Sequence, residues 1–180
     1  ALVAEAGHKT LLVEREKFPR FHVGESLMPA TYEVFQRLGV LEQMKSSQFV
    51  KKMSVQFVSH TGKETEPFDF RRHDPHERSQ TWQVERSTFD QMLWDNAAKK
   101  GVTCCDQTRV LEVLFEDQRA CGIRAQTASG RVQTIAAQVV VDATGQQSLL
   151  ANSLGLKQVT PNLRKAAIWG YYQGARREPG

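Results

Sequence analysis

The sequence predicts an α/β fold: an open, parallel-type sheet with a β-meander inserted into it. Two short apolar, partly β-branched runs carry that reading, residues 10–14 (TLLVE) and 138–142 (QVVVD). Each ends on an acid, and each has the continuous apolar character of a strand buried on both faces. Between them stand an amphipathic helix and three short strand-like segments joined by polar turns, the pattern of antiparallel strands wedged into a parallel sheet.

Residues 1–7 (ALVAEAG) read as the last turns of a helix, with Gly7 suited to the left-handed position that closes one. The strand at 10–14 follows at once, so the two make the second half of a strand-helix-strand unit. Pro29 opens a helical stretch in which Val34, Phe35, Leu38 and Leu41 recur at helical spacing, and Gly39 breaks or bends it. Residues 53–59 (MSVQFVS) alternate like a half-buried strand, 60–63 (HTGK) turn, and an extended piece runs on toward Phe70, which predicts a hairpin. The polar residues 71–80 predict an exposed connection. From 86 to 100, Phe89, Met92, Leu93 and Ala97 form one helix face, stopped by Gly101. Strands are expected over 109–115, 121–127 and 131–136, joined by the turns EDQR and ASGR. The run at 138–142 then leads through ATG into a helical SLLANSLG. Residues 165–172 read as a strand opening a second domain, which divides the chain into 1–158 and 159–180.

Composition narrows the function. In 180 residues, 40% hydrophobic and 24% charged content suffices for a packed core, and no run approaches the ~18 apolar residues of a membrane span. A disordered tail is excluded on the same grounds. The net charge of +4, from 24 basic and 20 acidic residues, is scattered rather than gathered into a stripe, which argues against nucleic acid as a partner. Cys104, Cys105 and Cys121 make an odd count without Cys-x-x-Cys, so neither a disulfide framework nor a zinc knuckle is expected. A reducing compartment, the cytoplasm, is the expectation, as is the absence of a secretory signal in a chain that starts on alanine and reads as processed or incomplete.

In open α/β sheets the acid ending the second strand accepts hydrogen bonds from the ribose of adenosine, about 20 residues beyond the first glycine of a Gly-x-Gly-x-x-Gly phosphate turn. Counting back from Glu14 places that turn before residue 1. The string AGHKTLLVEREKFPRFHVGESLMP at 6–29 resembles the segment after the glycine loop in FAD-dependent enzymes of the aromatic hydroxylase fold, and most closely the flavin-dependent halogenase (tryptophan halogenase) branch. QVERSTFDQML at 83–93 and VVVDATGQQSLLANSLG at 139–155 resemble that family's next two landmarks, in the same order and at similar spacing. The resemblance covers nearly the whole chain. It implies a Rossmann-like FAD-binding domain with an inserted meander and the start of a substrate-domain sheet. Its activity would use reduced flavin and oxygen to halogenate or hydroxylate a small organic substrate, with halide as a co-substrate and a separate flavin reductase as a transient partner.

Carried over by residue, the resemblance implies that Glu14, with Arg15 beside it, binds the adenosine ribose, and that Arg86 faces the flavin side chain or pyrophosphate. A fixed guanidinium offers several donors to such oxygens. Gly24, Glu25 and Ser26 match the segment beside the isoalloxazine, where a glycine permits close backbone approach. Asp142 and Gly145 match the second nucleotide-contacting strand end. Here Asp-Ala-Thr-Gly replaces the hydroxylases' Asp-Gly, and Ala151 stands where their later arginine would be, which favours the halogenase branch. Each has a plainer reading: a solvated strand end for Glu14, an ion pair with Glu85 or Asp90 for Arg86, a loop for 24–26, a helix cap for Asp142.

Lys52 is the catalytic candidate, because the resemblance places the halogenases' lysine at the start of a strand five residues before a phenylalanine, as Lys52 stands to Phe57. An amine that loses water sheds its proton more readily and can then steer an electrophilic halogen. Alternation points Lys51 the other way, and a surface lysine pair on an edge strand is the plainer reading. His73-x-x-His76 in a polar loop reads as solvated rather than metal-binding, and Trp82, Trp94 and Trp169 as core or rim aromatics. Two rivals stand: a reductase of isoprenoid double bonds (geranylgeranyl-reductase-like), and a non-catalytic flavoprotein fragment.

Overall fold

The computed structural model describes residues 1–163, 166 and 168–174, and the chain divides into two compact units, Ala1–Asp106 and a second beginning at Gln107. The first unit opens with α1 (Leu2–Glu5), closed by Gly7 at φ +87°. β1 (Leu11–Val13), α2 (Thr31–Leu38) and α3 (Leu41–Ser46) follow. Next come β2 (Val50–Lys52), β3 (Ser54–Val55), β4 (Phe68–Asp69), α4 (Phe70–His73), β5 (Thr81–Gln83), α5 (Arg86–Lys99) and β6 (Thr103–Cys105). β1 pairs in parallel with β6, Leu11 opposite Thr103 and Val13 opposite Cys105. A parallel pair needs a crossover, and here it is everything from α2 to α5.

The core lies between α2, α3, β5 and α5. Gly39 sits at φ +76°, and the Val40 amide reaches back to the Phe35 carbonyl, so α2 ends in a left-handed cap and the chain turns into α3. That turn stacks Phe35, Val40, Leu41 and Met44 on Trp82, Val84, Phe89 and Met92. Phe35 meets Trp82 and Phe89 edge-on at centroid distances of 6.1 and 5.8 Å, a preferred aromatic geometry. β5 is the central strand of a small antiparallel sheet. It pairs with β2 on one side, and on the other with residues 25–27, where the Val84 amide donates to the Glu25 carbonyl and the Leu27 amide to the Trp82 carbonyl. Being covered on both sides, Thr81 and Trp82 are fully buried.

Three expectations for this unit need correction. β1 is not buried on both faces: Leu11 and Leu12 are exposed, because β6 is the only described strand beside it. The strand expected over 53–59 is confined to Ser54 and Val55, which pair with β4; an isolated bridge from Val58 to Glu64 continues the hairpin, but Phe57 and Val58 are 68% and 62% exposed rather than half-buried. The connection at 71–80 is not wholly exposed, since it carries most of α4 and a 3-10 turn whose Ser79 is buried.

The second unit begins with the expected meander of β7 (Arg109–Glu116), β8 (Arg119–Gln126) and β9 (Val132–Ala136). Its middle strand carries Gly122, where a Cβ would collide with the Ile135 carbonyl oxygen of β9. α6 (Leu149–Ser153) follows as a single short helix. Residues 138–142, expected as a buried strand, form none: Val139 and Val141 are 77% and 80% exposed. An apolar run becomes a parallel strand only where neighbours accept its backbone bonds, and no described strand pairs with it. Of the strand expected over 165–172, Lys165 and Ala167 lie outside the described residues, and 168–172 carry no strand.

Candidate functional site

The carboxyl end of β1 is locked to its neighbour by the Glu14 amide, which donates to the Cys105 carbonyl at 2.9 Å and fixes the Glu14 backbone at the strand end. One of its oxygens, Oε1, accepts from the Glu16 amide at 3.1 Å. The other, Oε2, accepts from Arg20 Nε and Nη2 at 3.3 and 3.2 Å. Arg20 Nη1 in turn donates to Asp90 Oδ2 on α5 at 2.7 Å. Asp90 also takes the fork of Arg86, Nε onto Oδ1 at 2.7 Å and Nη2 onto Oδ2 at 2.9 Å. Arg86 Nη1 finally donates to the carbonyls of Val23 and Gly24 at 3.0 and 3.2 Å.

Three predicted site residues, Glu14, Gly24 and Arg86, thus join one chain of charge-assisted hydrogen bonds whose ionised side chains are at most 24% exposed. Asp90 falls one helical turn after Arg86, the spacing that puts the two on one face. Arg20 is the member that sequence reasoning does not single out; its signal is only a basic residue between Pro19 and an aromatic. Its guanidinium also lies over the Phe18 ring, 5.0 Å from the centroid, and Phe18 packs on Trp94. Gly24 has φ +111°, and a Cβ there would stand 3.1 Å from Arg86 Nη1, so the segment's close approach to Arg86 requires glycine. Arg15 lies apart from this network, its guanidinium exposed and 3.5 Å from Glu16.

A second pair forms on the small sheet. Lys52 Nζ donates to Ser26 Oγ at 2.8 Å and to the Leu27 carbonyl at 3.2 Å, with the Phe70 ring centroid 5.5 Å away. Lys52 closes β2 rather than opening the strand toward Phe57, because β2 and β3 pair with different partners. Lys51 is exposed. Glu25 is half-buried beside β5, where its carbonyl accepts from Val84.

Asp142 and Gly145 lie in the second unit. Asp142 Oδ1 accepts from the Thr144 hydroxyl and amide, and Oδ2 from the Leu150 amide in α6. The Thr144 hydroxyl, then the Leu150 and Thr144 amides, hold this carboxyl below its ordinary range. That is the capping arrangement, with Gly145 at φ +60° in the turn. His73 stacks on Phe68 at 4.0 Å, His76 faces Asp74, and among the described residues no three His, Cys, Asp or Glu side chains converge as a metal site.

Glu14 offers a carboxylate acceptor at a strand end, which is the chemistry a ribose hydroxyl of a flavin nucleotide needs. The sequence model of the FAD dependent oxidoreductase family matches residues 1–155, and the chain belongs to that family, whose cofactor is FAD. It is 31% identical to the flavin-dependent halogenase armH2 of Armillaria mellea, over 98% of this chain and 34% of that protein. Among solved structures it is similar to the myxobacterial chondrochloren halogenase CndH, with a TM-score of 0.69 and 39% identity over 75% of this chain and 31% of that one. It is similar as well to a flavoprotein/dehydrogenase from Cytophaga hutchinsonii, with a TM-score of 0.79 and 31% identity over 89% of this chain and 39% of that one. The α/β fold with a Rossmann-like FAD-binding domain is that of these neighbours. The chain spans about a third of the length of the armH2 relative.

Proposed function

We propose that this chain is the FAD-binding portion, residues 1–158 with the start of a substrate domain at 159–180, of a flavin-dependent halogenase acting on a small organic molecule. Bound FAD, once reduced, supplies the oxygen-activating chemistry that oxidises halide; the chain's own residues hold the cofactor and steer the product. Glu14 accepts a ribose hydroxyl, Arg86 fixes the segment 23–24, and the Gly24, Glu25 and Ser26 backbone lies beside the ring system. Asp142 and Gly145 build the second strand-end turn, which the family resemblance assigns to nucleotide contact. Arg15 adds charge near the adenosine end. A separate flavin reductase delivers the reducing equivalents, and the enzyme works in the cytoplasm.

The observation that carries the reading is Lys52 on Ser26. An ammonium has three donors, and the Ser26 hydroxyl and Leu27 carbonyl take two. The third is left for a substrate or halogen species beside the Gly-Glu-Ser segment. No other lysine of the first unit reaches that segment among the described hydrogen bonds.

The test uses the full-length protein with FAD, a flavin reductase, oxygen and chloride or bromide, offered phenol- and pyrrole-type substrates. Halogenated product is expected from the wild type and not from Lys52→Ala, with FAD binding unchanged. Failure of the wild type to halogenate any substrate counts against the reading. The similarity to a flavoprotein/dehydrogenase supports a second one, a flavin reductase acting on carbon–carbon double bonds. In that case Lys52→Ala leaves turnover almost intact. A purified full-length protein without flavin colour points instead to a non-catalytic relative.

A further inference from the structure

We propose that Arg20, braced by Asp90, is a positioning residue for the Glu14 carboxylate and so sets the adenosine end of the FAD site. The inference rests on the reading of Glu14 as the ribose acceptor and adds what orients it. A carboxylate has roughly four acceptor positions. Two N–H groups of Arg20 converge on Oε2, and the Glu16 amide takes one position on Oε1. Three of the four are therefore filled, all from directions the protein fixes, and the position left on Oε1 is the one a ribose hydroxyl can use.

Glu14 alone does not hold this arrangement. It stands just past the end of a three-residue strand, where a free carboxylate samples several rotamers. Arg20 removes that freedom, because its guanidinium is planar and is anchored at a second point, Nη1 on Asp90 Oδ2, across 70 residues of sequence. Its 15% exposure and the Phe18 ring against it leave few other positions for the guanidinium. A lysine has no such fork: one ammonium touching both carboxylates loses the two-pronged hold on Oε2.

The measurement is FAD affinity of the full-length apoprotein, by quenching of flavin fluorescence, across a double-mutant cycle of Glu14→Gln, Arg20→Met and both, with the melting temperature of each apoprotein. Glu14→Gln is expected to weaken FAD by about 10- to 100-fold, the worth of one hydrogen bond to a charged acceptor. Arg20→Met is expected to weaken it by about ten-fold in the wild type and not at all in the Glu14→Gln background, since it acts through that carboxylate. Arg20→Lys should retain part of the affinity, and it carries the same cycle if Arg20→Met fails to fold. Multiplying effects of the two substitutions, or an Arg20 substitution without effect beside a damaging Glu14→Gln, overturns the positioning role while leaving the ribose reading intact. A Glu14→Gln protein that binds FAD like the wild type overturns both.

Discussion

Gly24 gives the sharpest test of how the first unit is held together. Gly24→Ala introduces two separate strains. The backbone sits at φ +111°, a conformation that residues with a side chain avoid at a cost of about 1–3 kcal/mol. The new methyl also arrives 3.1 Å from Arg86 Nη1, so the guanidinium must give by a few tenths of an ångström. Arg86 is poorly placed to yield. Its Nε and Nη2 are forked on Asp90, and its Nη1 holds the Val23 and Gly24 carbonyls. Weakening those bonds adds about 1 kcal/mol, part of the worth of hydrogen bonds to a charged group. The sum is about 3 kcal/mol, a large share of the stability of an ordinary domain. Urea unfolding of the wild type, Gly24→Ala, Arg86→Ala and the double variant separates the parts. In the Arg86→Ala background the methyl meets no guanidinium, so the cost of Gly24→Ala should fall by about 1 kcal/mol to the backbone term alone. A Gly24→Ala protein as stable as the wild type, or an identical cost in both backgrounds, refutes the reasoning.

Other perturbations read other parts of the structure. Met44 is wholly buried in the core, so Met44→Ala should cost about 2–5 kcal/mol in chemical denaturation. Asp142 has its folded-state carboxyl lowered, first by the Thr144 hydroxyl. Its contribution is therefore fully present above the ordinary value of 3.8 and lost as pH falls through the lower folded value. The Thr144 and Leu150 amide resonances should shift together in that acid window, and Asp142→Asn should abolish the transition. Burial, then the neighbouring Cys105, raises the Cys104 thiol above 9.0, so its alkylation rate, followed by mass spectrometry, should still be climbing above that pH.

What the sequence makes legible here is local. α5 can be read because Phe89, Met92 and Ala97 recur at helical spacing and Gly101 stops it, and each of these is a relation within a few residues. The meander is legible for the same reason, its turns being short and polar. Residues 138–142 show the limit: VVV states that the run prefers apolar company, but the pattern contains nothing about which strand supplies it, and no described strand does. The site divides in the same way. Glu14 stands out as the acid at a strand end, and Gly24, Ser26, Lys52 and Arg86 through the family resemblance of their segments, yet what joins them is spread across the chain. Lys52 meets Ser26 from 26 residues away, and Glu14 is tied to Arg86 only through Arg20 and Asp90, which are 70 residues apart. A charged side chain looks the same in sequence whether it is solvated or shared between two carboxylates. Only the packing of α5 against β6 and the 18–24 segment decides that Arg20 is shared. For that reason the residues that contact a cofactor are easier to find in a sequence than those that aim them, and Arg20 belongs to the second kind.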